Sequence, residues 1–168
     1  MLKHFIPEYI FDTFDMANPE FLLSIGVKGV ILDVDNTLEP YENPEPGEHV
    51  VAWLNSLSEA GISASIVSNN NVERITVFNA SLGLPAYPKA GKPFTKNIFK
   101  AMNDMGSNNE NTVLIGDQIF TDVWAAHNAK IRAILVKPIK DKRDPLTRFK
   151  RLLEKPILKA YIKKHKED

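Results

Sequence analysis

Two carboxylates one residue apart, Asp33 and Asp35, follow an apolar run, Val30-Ile31-Leu32, and precede two turn formers, Asn36 and Thr37. Such a run reads as a strand buried on both faces. A carboxylate inside it would be costly, so Asp33 is expected at the strand's carboxyl end, facing a crevice. Open α/β sheets bind ligands there. Two carboxylates this close repel, and a hard divalent cation with oxygen ligands would relieve the repulsion. A plainer reading makes the pair a turn cap, and the rest of the chain decides between the two.

The other candidates fall at matching places. Ser68 and Asn69 follow a second apolar run, Lys92 precedes a helical pattern, Asp117 follows a further run, and Asp122 lies five residues beyond it. An anion suits this set: a hydroxyl and helix-start N–H groups donate, and lysine adds a compact charge. Asp33 and Asp117 could both reach a metal that bridges to the anion. The asparagines at 69 to 71 could cap the helix that follows, or Asn69 could touch the substrate; capping is the favoured reading.

The elements that must position these residues alternate. Strands are expected at 28–33, 62–67, 86–87, 111–115 and 131–136, with helices at about 19–25, 48–60, 71–80, 94–105 and 121–127. Asn18-Pro19 reads as a helix start and Gly61 as a helix stop. Repeated β-α units imply an α/β fold, a doubly wound parallel sheet of about five strands with helices on both faces. Residues 5–16 are aromatic-rich and irregular, and are expected to pack across the sheet. Trp53 and Trp124 sit on apolar helix stripes and read as core.

At 168 residues, with 43% hydrophobic and 25% charged, the chain suits a single globular domain. It contains no cysteine, which excludes disulfides and thiolate metal sites. The four histidines show no ligand spacing. The opening residues lack the apolar core of a signal peptide, and no apolar run of about 18 residues would span a membrane. A cytoplasmic protein is expected, with peripheral contact at the inner face of the membrane. Charge is segregated: residues 1–136 carry 9 Lys and Arg against 16 Asp and Glu, net −7, and residues 137–168 carry 12 against 5, net +7. The basic segment, about 144–166, reads as an amphipathic helical tail that Pro156 should split. It could meet anionic lipid or pack on the sheet.

The ordered set of Asp33-Val34-Asp35-Asn36-Thr37, Ser68, Lys92 and Gly116-Asp117…Asp122 resembles the haloacid dehalogenase (HAD) superfamily of phosphotransferases across residues 28–136. The resemblance implies an Asp33 nucleophile and an Asp35 general acid and base. It implies phosphate-binding roles for Thr37, Ser68, Asn69 and Lys92. Mg²⁺ would be held by Asp33, Asp117 and the Asp35 carbonyl, with Asp122 behind them. Asp at position 35 matches the phosphatases of the superfamily. The spacings from 33 to 68 and from 68 to 92 leave no room for a cap domain. Within the superfamily the motifs are most similar to the YqeG-type HAD-IIIA phosphatases, whose relatives include a phosphatidylglycerophosphatase. A membrane-borne phosphomonoester, phosphatidylglycerophosphate above all, is therefore the expected substrate. The alternatives are a soluble phosphometabolite, a nucleic-acid end as the lesser case, or a non-enzymatic phosphoaspartate receiver. The oligomeric state is not fixed by these features.

Overall fold

The computed structural model describes residues 2–140 and 145–166. Its centre is a six-stranded, wholly parallel sheet: β1 (Tyr9–Phe11), β2 (Gly29–Leu32), β3 (Ser63–Val67), β4 (Ala86–Tyr87), β5 (Thr112–Gly116) and β6 (Arg132–Val136). The order is β1-β6-β5-β2-β3-β4. From β2 the chain winds outward through β3 to β4, then returns to the other side of β2 for β5 and β6. The order therefore reverses between β2 and β5, where such sheets open a crevice.

Alternation within the strands supplies two cores. Val30 and Leu32, with Val113, Ile115, Ile134 and Val136, face α1 (Pro19–Ser24), α2 (Glu48–Glu59) and α3 (Val72–Asn79). Ile31, Leu114, Ala133 and Leu135 face α4 (Lys96–Met105), α5 (Trp124–Asn128) and α6 (Pro145–Lys166). Local signals set the helix ends. The Asn18 side chain accepts from Phe21 N–H at 2.9 Å, with Pro19 in the first turn. Gly106 ends α4 at a φ of 63°, a left-handed conformation that glycine adopts without strain.

Three sequence expectations need correction. The sheet has six strands rather than about five, because Tyr9–Phe11, expected to be irregular, pairs in parallel with Ile134–Val136. Three residues are too few to show a period. Trp53 is core, with its indole N–H donating to the Ala17 carbonyl at 3.0 Å. Trp124 instead lies at the surface, 37% exposed, with its ring edge-on to Phe5. Pro156 does not split the tail, since α6 runs through it from Pro145 to Lys166; proline removes one internal hydrogen bond, and the turns on either side keep theirs. Residue 144, the expected start of the tail, lies outside the described residues.

The tail packs on the core. Ile157 is 2% exposed within the second cluster, and the Tyr161 hydroxyl lies beside the backbone of Ile10. No described helix is long and apolar enough to cross a membrane.

Candidate active site

The candidate residues meet at the carboxyl ends of β2, β3 and β5. Asp33 directly follows β2, and its N–H donates to the Ile115 carbonyl at 3.0 Å, tying it to the neighbouring strand. The chain then turns sharply. Asn36 takes a left-handed φ of 61°, which asparagine tolerates, and Thr37 and Leu38 both donate to the Val34 carbonyl. That turn brings the Thr37 hydroxyl to 3.1 Å from Asp117 Oδ1 and 3.4 Å from Asp33 Oδ2, so one proton is shared between two carboxylates.

Asp33, Asp117 and Asp122 are all buried and offer carboxylate oxygens within 4.8 Å of one another. Among the described residues Lys92 is the cation that meets them, with its ammonium 3.0 Å from Asp33 Oδ1 and 2.6 Å from Asp122 Oδ1. The other Asp122 oxygen accepts from Gln118 N–H at 3.1 Å. Both oxygens of Asp122 are thus committed, so it braces the lysine. Gly116 is required for this approach, because a Cβ there would lie 2.3 Å from Asp122 Cγ. After Gln118 the chain makes a π turn over Ile119–Val123 before entering α5. A helix was expected there, and the wider turn carries Asp122 inward.

Three carboxylates around one ammonium leave an excess of buried negative charge. Burial pushes Asp33 up to about 6, against the pull of Lys92 and with a further push from Asp122. Burial also raises Asp117 well above the carboxylate range, reinforced by Asp33 and Asp122. Burial works against the charged form of Lys92, but Asp122 and Asp33 outweigh it and hold its pKa above the ordinary lysine value. A set of hard oxygen donors short of positive charge suits a divalent cation.

Ser68 closes the site from β3. It is 1% exposed, and its hydroxyl accepts from Asn70 N–H at 3.1 Å. Asn69 is not the helix cap. Its side-chain amide clamps the Lys92 backbone, accepting from Lys92 N–H at 2.7 Å and donating to the Lys92 carbonyl at 3.1 Å. The cap of α3 is Asn71, which accepts from Arg74 N–H at 2.8 Å.

Two residues to which the sequence reading gives no part in the site hold Asp35. Asn70 donates to one carboxylate oxygen at 2.6 Å, and Arg74 Nε donates to the other at 3.1 Å. Arg74 is itself fixed by the Pro44 carbonyl at 3.0 Å and by the face of Phe78. A lone arginine in the first turn of a helix carries no signal in sequence, since what it meets lies 39 residues away.

The comparisons agree with this geometry. A family model described as "HAD-hyrolase-like" matches residues 89–157. The chain is 37% identical to "Probable phosphatase YqeG" of Bacillus subtilis over 96% of its own length and 94% of that protein's. Among solved structures, it resembles a HAD-superfamily hydrolase from Ehrlichia chaffeensis, with a TM-score of 0.55, 17% identity, and coverage of 76% of this chain and 98% of that one. It also resembles the cobalt-bound deoxy-D-mannose-octulosonate 8-phosphate phosphatase of Haemophilus influenzae, with a TM-score of 0.52, 18% identity, and coverage of 81% and 90%. These two likenesses concern the fold, whereas the identity to the Bacillus protein runs nearly end to end. The chain belongs to the HAD superfamily and, within it, is a phosphatase of the YqeG type.

Proposed function

We propose that the protein hydrolyses phosphomonoesters through an aspartyl-phosphate on Asp33, with Mg²⁺ as cofactor, and that its substrate is phosphatidylglycerophosphate at a membrane surface. The observation that carries the chemistry is the buried Asp33 carboxylate at the sheet's switch point, paired with Lys92 and sharing Thr37 with Asp117.

Asp33 attacks phosphorus and the bond to the leaving oxygen breaks. Asp35, two residues along, gives that oxygen its proton. A water then attacks the aspartyl-phosphate, Asp35 takes up the water's proton, and inorganic phosphate leaves with Asp33 restored. A carboxylate nucleophile divides one difficult displacement into two easier ones. Lys92, Thr37 and Ser68 hold the phosphoryl oxygens, with Asn69 acting through its grip on the Lys92 backbone. Asp33, Asp117 and the Asp35 carbonyl would hold Mg²⁺, with Asp122 behind them. The ion, when bound, neutralises charge on the phosphoryl group, which is most of what phosphoryl transfer requires. Arg74 and Asn70 fix the direction in which the Asp35 carboxyl points.

Two features support a lipid substrate. The connections from β2 to β3 and from β3 to β4 contain only loops and single helices, so no cap domain covers the site. The first half of α6 exposes Leu146, Phe149, Leu152 and Leu153 beside Arg148 and Lys155. Each basic side chain near an anionic bilayer contributes about 1 kcal/mol. The test is phosphate release from phosphatidylglycerophosphate in anionic vesicles, set against a panel of soluble phosphomonoesters. The expected result is hydrolysis of the lipid that weakens as salt rises. Brisk cleavage of soluble esters with the lipid untouched would replace it with the soluble-metabolite reading.

A further inference from the structure

The crevice does not end at Asp117. A cleft of about 260 Å³ continues from Asn36, Asp117 and Gln118 to a wall formed by α6, where Leu146, Lys150 and Arg151 line it. That volume is close to the lower end of small-molecule sites, about 300–1,000 Å³, and exceeds the needs of one phosphoryl group. The wall follows from helical spacing. Residues 146, 147, 150, 151 and 154 form one stripe, and 157, 158 and 161 continue it. Over its second half this stripe is sealed to the molecule: Ile157 enters the core, and the half-buried Glu154 carboxylate lies against the backbone of Ile119. Over its first half the same stripe overhangs the crevice. The Ile119 contact ties α6 to the π turn that carries Asp122, so the wall is held in register with the catalytic carboxylates.

The cleft is therefore polarised. Its inner end is Asp117, behind which Asp33, Asp122 and Lys92 meet, and its outer wall presents Lys150 and Arg151 against the single carboxylate of Glu154, with Lys140 at the rim, 3.4 Å from Glu42. A simple monoester occupies only the inner end. We propose that the α6 wall is a second anion subsite, which selects substrates carrying a further anionic group, of the phosphodiester kind, beside the scissile phosphomonoester. In a protein without a cap domain, α6 takes over substrate selection. The inference rests on the phosphatase reading above and deepens it.

The test uses the full chain and three substrates. Glycerol 3-phosphate has only the monoester. Glycerophosphoglycerol phosphate adds a phosphodiester but no acyl chains. Phosphatidylglycerophosphate is presented in neutral phosphatidylcholine vesicles or in anionic ones. The native protein should favour the soluble diester-bearing substrate over glycerol 3-phosphate, chiefly through KM. Lys150→Gln should lower that ratio of kcat/KM about tenfold, equivalent to about 1.4 kcal/mol. Lys159→Gln, exposed on the opposite face of α6, should leave the ratio in place. The lipid in neutral vesicles should respond to Lys150→Gln as the soluble diester does. The proposal is overturned, with the phosphatase reading intact, if the native protein does not favour the diester. The same holds if Lys150→Gln slows both soluble substrates alike, or if it acts only in anionic vesicles, which would assign Lys150 to the bilayer. Absence of hydrolysis for every phosphomonoester would overturn both.

Discussion

Asp33, Asp117 and Asp122 depend on one ammonium, and that imbalance makes the site sensitive to protons and metal. With Asp33 raised to about 6 and Asp117 also raised well above 3.8, the metal-free native state binds protons that the unfolded chain has released above 3.8. The metal-free protein should therefore lose stability as pH rises from about 4 through 6 and beyond. A divalent cation replaces those protons, so its binding should strengthen over the same range. Asp117→Asn removes one buried charge and keeps an oxygen for the Thr37 hydroxyl. Without metal at pH 7.5 this variant should be more stable than the native protein by about 1 kcal/mol, or about 2–4 °C in Tm. Mg²⁺ should raise the native Tm, more at pH 7.5 than at 5.5, and leave the variant unmoved. An equal Mg²⁺ response in the variant would remove Asp117 from the metal site. At this scale the sequence was legible where a residue's type and its strand-end position coincide, as for Asp33, Ser68, Lys92 and Asp117. It was silent on Asn70 and Arg74, because their partner Asp35 is local only in three dimensions.

Among the elements, the added strand and the tail both close the β6 side of the sheet. β1 is held by a polar clasp as well as by its ladder. His127 in α5 has one ring nitrogen 2.7 Å from the His4 carbonyl and the other 3.2 Å from the Glu8 carboxylate. Both partners accept, so the doubly protonated ring is the form that satisfies both. The hydrogen bond to Glu8 is the main cause holding the His127 pKa above its ordinary value, with burial acting against it. Burial alone would raise Glu8, but His127 and the Ala133 N–H bring it below its ordinary value. The histidine's contribution is complete below 6.5 and fades as pH rises through its folded pKa. The carboxylate's contribution is complete above 4.5 and fades as pH falls through its own. The stability lost in His127→Phe should therefore be greatest between about pH 4.5 and 6.5 and shrink by pH 8.5, as measured by urea titration. A loss independent of pH would mean that His127 acts by packing alone. Helix boundaries were legible from caps such as Asn18 and Gly61, whereas β1 was too short to show a period. The docking of α6 was equally hidden, because a basic amphipathic stripe serves a core or a bilayer equally well. Ile157 decides for the core in the second half of the helix, and removing the chain after Val136 would open that core.

At the scale of the whole molecule, topology explains why so few residues define the site. Reversal of the strand order between β2 and β5 places the ends of two adjacent strands over one crevice, and register fixes Asp33 beside Ile115 and hence near Asp117. The doubly wound architecture could be read from alternating periods alone, since each strand supplies apolar residues to both faces. The sixth strand and the wall made by α6 could not, because both depend on contacts between the two ends of the chain. Every catalytic role proposed here passes through the carboxylate of Asp33. The most direct measurement is the rate of phosphate release by Asp33→Asn, on protein whose cooperative melting transition is retained. The expected result is a fall of roughly a thousandfold or more, since an amide cannot form the aspartyl-phosphate. A folded Asp33→Asn protein with activity within about tenfold of native would contradict the account.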